Sequence, residues 1–262
     1  MPGIEPVVLY TVKDHVARIT LNRPEVRNAL SAQLVEELRE TLLCARSDPD
    51  AHVLVLTGAG EEAFSAGADL GGGTPPQAFL AQHDDRGAFG DLFRILSALG
   101  KPVVARVNGY CLGDGLGLAL GCDLIVASND STFGTPEVTR GLMPMMVMAS
   151  LVRNCGRKKA MELILTGERI PALEAERLGL INHAVPEEEL DARVEELTRR
   201  LISLSPAILR IGRDAFYTMA DVEFQNALAY LQTMMTLNLS TEDAREGVAA
   251  FLEKRAPEWK GR

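Results

Sequence analysis

Apolar and polar positions alternate along "VVLYTVKDHVARITLNRP", and the alternation breaks once, at Lys13-Asp14-His15. A period of two predicts a pair of strands around a tight turn, with Pro24 stopping the second strand. The period then lengthens. Leu34, Val35, Leu38, Leu42 and Leu43 recur at helical spacing between Ser31, a good N-cap, and Pro49. "SAQLVEELRETLLCARSDP" therefore predicts an amphipathic helix. "AHVLVLTG" is an unbroken apolar run ending at Gly58, which predicts a short strand buried on both faces. Further on, "LFRILSALG" predicts a helix, "KPVVARVNG" a strand, "GDGLGLALGCD" the start of a helix and "LIVAS" a strand. This alternation predicts an α/β layered core. Residues 71–90 have loop composition and weak periodicity, and predict a flexible lid or pocket rim.

After about residue 145 the pattern becomes helical. "MMVMASLVRNCG", "RKKAMELILTG" and "PALEAERLG" predict consecutive helices, each stopped by glycine. "INHAVP" predicts a short strand, and "EEELDARVEELTRRLISLS" a long amphipathic helix. Three more helical stretches follow Pro206, so a boundary is expected there: a core over residues 1–205 and a helical region over 206–262.

Composition narrows the class. Of 262 residues, 47% are hydrophobic and 24% charged, which describes a globular domain with a substantial core. The net charge of −9 opposes nucleic acid and anionic membranes, though not an anionic ligand in a locally basic pocket. The four cysteines form no CxxC pair, and the four histidines have no metal-ligand spacing. Reduced thiols, a cytoplasmic location and no metal are the expectation. The N-terminal stretch has neither signal- nor transit-peptide character, and no apolar run approaches the ~20 residues of a membrane span.

The candidate chemistry centres on "NGYCLGDGLGL", where Gly109, Gly113, Gly115 and Gly117 fall between a strand and a helix. A dinucleotide fingerprint fails on spacing, because the sixth position is Leu118 or Leu120. A cysteine nucleophile elbow fits Gly109-Tyr110-Cys111-Leu112-Gly113, but His183, the only downstream histidine, lies in an apolar strand. That leaves a cysteine-dependent ester or thioester hydrolase as an alternative. An oxyanion hole fits best. A turn entering a helix offers free N–H groups and the positive end of the helix dipole. "FSAGAD" is a second small-residue turn after a buried strand, so two donors could converge on a developing enolate.

Six stretches in order resemble the crotonase family, also called the enoyl-CoA hydratase/isomerase family: "LNRPEVRNALS", "AFSAGADL", "KPVVARVNGYCLGDGLGLALGCDLIVAS", "FGTPEVTRGLMP", "LTGERIPALEAERLGLINHAVP" and "EGVAAFLEKRAPEWKGR". The resemblance implies an α/β fold, a spiral of ββα repeats with a C-terminal helical trimerisation region. It implies an acyl-CoA thioester substrate, coenzyme A being part of that substrate and no separate cofactor being needed. It implies a homotrimer or a dimer of trimers. Matched by position, the enolate would be held by the N–H groups of Ala68 and Asp114, with Glu137 as the base. Arg27, Ala29, Ala66, Asp69, Leu70, Leu112, Phe251 and Lys254 match positions that border the thioester or its nucleotide, with Lys101 and Arg255 as further basic candidates.

Two positions depart from the family pattern. Asp114 stands where glycine is usual, and its carboxylate is expected to turn away or to cap the helix. Gly117 stands where hydratases carry a second glutamate. One carboxylate favours double-bond isomerisation, while hydration remains open if Glu137 both activates water and returns a proton. A non-catalytic CoA-binding homologue is the third reading. Met143, Met145, Met146 and Met148 are expected mainly as helix core, and Asp84 and Asp85 as solvated acids.

Overall fold

The structure, a computed structural model, describes residues 6–71 and 79–262. Val8–Lys13 (β1) and Val16–Leu21 (β2) pair antiparallel with Lys13 opposite Val16. Asp14 and His15 make the turn in left-handed conformation, at φ 49° and 63°. Ala32–Ser47 (α1) follows, with Ser31 Oγ accepting from the Leu34 N–H as expected of an N-cap. Its buried stripe is Leu34, Val35, Leu38, Leu42 and Ala45.

From there the chain winds as a spiral. Val53–Gly58 (β3) and Ala63–Ser65 (β4) precede Phe79–Ser97 (α2). Val103–Val107 (β5) and Tyr110–Leu112 (β6) precede Asp114–Leu120 (α3). Leu124–Ser128 (β7) and Thr132–Gly134 (β8) precede Val147–Thr166 (α4). Each turn gives its first strand to one sheet and its second to another. Arg169–Pro171 (β9), Ala172–Arg177 (α5), His183–Val185 (β10) and Leu190–Ile202 (α6) complete the spiral. The six-stranded sheet has the order β1-β2-β3-β5-β7-β10 and the four-stranded sheet the order β4-β6-β8-β9. The α/β spiral of ββα units is as expected.

The apolar run of β3 is buried throughout because both faces of its sheet are covered. Leu54 and Leu56 face the main core with α1, while Val53 and Val55 pack with Val104, Val126 and the Leu190 and Val194 side chains of α6. Full burial of one such side chain stabilises the fold by about 2 kcal/mol.

One expectation needs correction. The lid expected over residues 71–90 is helical from Phe79 onward, because Leu92 and Leu96 anchor α2 fully in the core and the helix extends back from them. Residues 72–78 lie outside the described residues, as do the side chains of Asp84 and Asp85. The two helices expected between 145 and 167 meet at Gly156, whose φ 72° and ψ 163° interrupt α4 between them, as expected.

The helical end comprises Pro206–Met219 (α7), Phe224–Leu239 (α8) and Glu242–Glu253 (α9). Among the described residues no helix is long and apolar enough to cross a membrane.

Candidate active site

Strand β4 pairs with β6, and β6 with β8, all parallel. Their carboxyl ends therefore open on one edge, where layered α/β proteins hold ligands. Three chain segments leave that edge side by side. β4 runs into Ala66-Gly67-Ala68, β6 into Gly113-Asp114, and β8 through Thr135 into the 3-10 turn Pro136–Arg140, which carries Glu137.

Hydrogen bonds fix the first turn from both sides. Ser65 Oγ donates to the Asn28 carbonyl at 2.8 Å and accepts from the Gly67 N–H at 3.2 Å. The Leu30 N–H donates to Gly67 O at 2.8 Å, and the Asp69 N–H donates to Leu30 O at 3.1 Å. Those bonds bracket Ala68, whose own N–H makes none among the described residues.

The second turn is set by Gly113, at φ 53° and ψ −128°, a conformation that L side chains rarely adopt. Its N–H donates to Gly134 O at 2.9 Å, and the Gly117 N–H then donates to Gly113 O at 3.0 Å as the first closed turn of α3. The Asp114 N–H precedes that turn and makes no hydrogen bond among the described residues, as helix starts require.

The two turns touch. A Cβ on Gly67, which has φ 95°, would lie 2.9 Å from Leu112 O and 3.4 Å from Asp114 N. Only a glycine lets the first turn approach the second so closely. Gly115 closes the same seam, since a Cβ there would lie 2.6 Å from Ser65 O. Glu137 reaches over this backbone: its Oε1 lies 2.8 Å from where a Gly113 Cβ would stand, and its Oε2 is buried without a hydrogen-bond partner among the described residues. Burial pushes the Glu137 carboxyl above the ordinary range; its own backbone N–H lowers it, Asp114 raises it further and Arg140 lowers it.

Asp114 departs from expectation. Gly113, not Asp114, is the N-cap, and α3 starts with no side-chain cap. Asp114 is the first residue inside the helix, half-buried, and burial pushes its carboxyl up to about 6. The space beside Gly117 is filled: a Cβ there would meet Val147 Cγ2 at 3.0 Å and Phe93 Cζ at 3.1 Å. Apolar groups from α2 and α4 thus occupy the direction a side chain at position 117 would take.

Cys111 is no nucleophile. Its thiol is fully buried, bonded to Gly115 O at 3.6 Å, and pushed far up by burial. His183 lies on β10, the edge of the other sheet, against Arg193 Nη2 at 2.8 Å. The geometry gives the hydrolase reading no base. The methionines divide differently from expectation: Met143 and Met145 are exposed, while Met148 packs against the core. Helix α4 starts only at Val147, so the first three precede it.

The remaining candidates separate into groups. Ala66 donates to Arg27 O at 2.9 Å, and Ala29 and Leu30 run beside the first turn. Asp69 pairs with Arg23 at 2.8 Å, a bond that ties the turn to the segment before α1. Leu112 is buried under the second turn and Leu70 is exposed beyond the first. Arg27 pairs with Glu62 at 2.8 Å and lies over the Tyr110 ring, with Arg169 on the same ring, at 5.6 and 5.8 Å from its centroid. Lys101 instead donates to Ala45 O and Asp48 O, closing the end of α1. Phe251 and Lys254 are exposed at the end of α9, and Arg255 is held by Glu246 and Glu253. Helix α9 packs on α7 and α8.

Sequence reasoning missed Asn28. It is fully buried at φ 53°; its Oδ1 accepts from the Arg23 N–H, and its Nδ2 donates to Ala59 O and Ala63 O. It clamps the loop before β4 and thereby aims the first turn. An asparagine tolerates the left-handed conformation that this position needs, the one local signal available.

Comparison with known proteins adds an independent line. A family model described as enoyl-CoA hydratase/isomerase matches residues 11–262. A 2,3-dehydroadipyl-CoA hydratase of Escherichia coli is 37% identical over 251 residues, covering 95% of this chain and 97% of that protein. A probable mitochondrial enoyl-CoA hydratase of Dictyostelium discoideum is 36% identical over 255 residues, 94% of this chain and 88% of that one. A crystal structure of an enoyl-CoA hydratase from Bacillus anthracis superposes with a TM-score of 0.92 at 32% identity, covering 98% of this chain and all of that one.

Proposed function

The chain belongs to the enoyl-CoA hydratase/isomerase family, and on that premise we propose that it converts an enoyl-CoA thioester through an enolate held by the N–H groups of Ala68 and Asp114, with Glu137 moving the proton. The observation that carries this reading is the contact of the two turns. Two amides with no hydrogen bond among the described residues stand on touching segments of backbone, and the half-buried Glu137 carboxylate lies across one of them.

The chemistry follows from charge. Removing a proton beside a thioester, or adding water across a conjugated double bond, places negative charge on the carbonyl oxygen. Two fixed donors stabilise that oxygen more than the neutral carbonyl, and each such donor is worth roughly 3 kcal/mol of barrier. Glu137 needs a raised proton affinity to work near neutral pH, and its burial supplies it. The product is a hydrated or double-bond-shifted thioester. The names of the relatives favour hydration, and Gly117 favours isomerisation.

The thioester arm would run out along Ala29, Ala66, Asp69, Leu70 and Leu112. Arg27 and Arg169, stacked about Tyr110, would meet the phosphates of coenzyme A. Phe251 and Lys254 would border the nucleotide from a neighbouring copy. Residues 206–262 would form the region that joins copies into a homotrimer or a dimer of trimers, supported by exposed Phe224, Met235, Leu239 and Leu252 on α8 and α9.

Turnover of a 2-enoyl and a 3-enoyl thioester, with product identification, tests the reading. Glu137→Gln should lower kcat on the accepted substrate by about 10²- to 10⁴-fold while acyl-CoA still binds. Unchanged turnover would remove Glu137 from the reaction.

A further inference from the structure

The candidate active site lies at the carboxyl ends of β4, β6 and β8. A cavity of about 680 Å³ lies instead at the amino ends of β2, β3 and β5, and none of Ala68, Asp114 and Glu137 lines it. Three separate parts of the chain meet there. His15 in the β1–β2 turn, His52 just before β3 and Lys101 just before β5 come from the spiral. Arg210 comes from α7, and Trp259 and Lys260 from the stretch after α9.

Local contacts fix these groups. The His52 N–H donates to His15 O at 2.9 Å, and the two imidazoles stack with their centroids 4.4 Å apart. Arg210 lies along the peptide before Lys101: a Cβ on Gly100 would stand 3.3 Å from its Nε. Trp259 is held at two edges. Its Nε1 donates to Ser203 O at 2.8 Å, and its six-membered ring lies 3.1 Å from where a Gly247 Cβ would stand.

The charge of the cavity runs against that of the chain. The net charge is −9, yet the lining has three fixed cations, Lys101, Arg210 and Lys260, and one carboxylate, Asp48. That carboxylate is occupied, accepting from the Tyr10 hydroxyl at 2.7 Å and from the Asp50 N–H at 2.9 Å. The cations are not. Lys101 donates to two neutral carbonyls, Ala45 O and Asp48 O. Arg210 reaches Asp214 only at 3.9 Å, and Lys260 reaches Glu242 only at 3.9 Å, both beyond hydrogen-bond distance. Arg213, three residues after Arg210, is by contrast 2.8 Å from Asp123. The positive groups also oppose one another. Burial lowers the proton affinity of Lys101, Asp48 raises it and Arg210 lowers it again. Burial, His15 and Lys101 lower that of His52.

We propose that this cavity binds a small phosphorylated molecule, with Lys101, Arg210 and Lys260 around the phosphoryl group and Trp259 as a flat wall for the remainder. Three unpaired cations call for a ligand of more than one negative charge, and several acceptor oxygens on one centre suit an arginine fork beside two ammonium groups. The volume lies within the range of roughly 300–1,000 Å³ usual for small-molecule sites. A ligand held there would tie the spiral, α7 and the stretch after α9 together, and so stabilise the fold. The inference is independent of the enoyl-thioester reading.

The only tryptophan of the chain, Trp259, reports on the cavity directly. The intact protein is titrated with sodium phosphate, with AMP and with adenosine, at an ionic strength held constant with sodium chloride. Tryptophan fluorescence should change and saturate with phosphate, half-way on the order of 1 mM. Arg210→Ala and Lys260→Ala, both at exposed side chains, should each weaken that binding by about 10-fold or more. Arg27→Ala should leave it unchanged. AMP bound more tightly than phosphate identifies a ring-bearing ligand; AMP bound equally or less tightly identifies free phosphate. In melting experiments phosphate should raise Tm more in wild type than in the double variant Arg210→Ala/Lys260→Ala, a comparison that removes the general stabilisation phosphate gives any protein. An unsaturated response to phosphate and AMP, adenosine binding as well as AMP, or an affinity that falls in Arg27→Ala but not in Arg210→Ala and Lys260→Ala would each overturn the proposal.

Discussion

Asp114 sets the tension in this site. An aspartate with its carboxyl pushed up to about 6 is mostly ionised at pH 7.5 in surroundings that disfavour the charge. Its folded proton affinity exceeds the unfolded one, so its contribution to stability is complete below about pH 4 and is lost as the pH rises through about 6. Allowing for its partial exposure, the loss is about 2 kcal/mol. Asp114→Asn should therefore raise Tm at pH 7.5 by roughly 4–8 °C, and the gain should vanish by pH 4. An equal gain at both pH values would mean that charge is not the cause. The oxyanion turns and Glu137 were legible as residues, because small side chains and a Pro-Glu pair mark them in the sequence. The uncapped start of α3 was not, since a helix-start aspartate ordinarily reads as a cap, and the Gly113 conformation had already taken that position. Nor was the clamp at Asn28, whose partners come from residues 23, 59 and 63.

At the scale of elements, long periodic segments were readable and several of the shortest strands were not. β1, β2, β3 and α1 carry their own patterns. β6, β8 and β9 are three residues each, too few to display alternation, and exist because the sheet pairs them. The middle turns of α2 include Gly87 and Gly90, which hid the helix. The docking of α7 was equally silent in the sequence. Arg213 is 8% exposed, with its Nε on both oxygens of Asp123 at 3.0 and 2.8 Å and its Nη groups on the carbonyls of Ser97 and Leu96 at the end of α2. Tyr217 adds a bond to Asp123 at 2.7 Å. Arg213→Met should strand that carboxylate and destabilise the fold by about 3 kcal/mol, a fall in Tm of roughly 6–12 °C by calorimetry. A change within 1 °C would show that α7 is held by its apolar contacts alone.

At the scale of the molecule, the helical end exposes large apolar side chains. Phe224 is 68% exposed, Phe251 81% and Leu252 73%. Patches of this kind mark interfaces. Light scattering should give three or six times 28.4 kDa, and Phe224→Asp should shift the mass downward. A monomeric wild type would contradict the assembly and leave Phe251 and Lys254 without a site to border. The α/β class was readable from the order of strands and helices along the chain. The partition of strands between two sheets was not, because a pairing partner lies one whole turn of the spiral away, as Ala63 opposite Tyr110 does. The most direct test of the whole account is a crystal structure with a saturated acyl-CoA, which binds but cannot be hydrated. Its thioester oxygen is expected about 3 Å from both the Ala68 and the Asp114 nitrogen, with the Glu137 carboxyl beside the reacting carbons of the acyl chain. A thioester oxygen bonded to neither amide, or lying on the far side of Gly113 from Glu137, would contradict it.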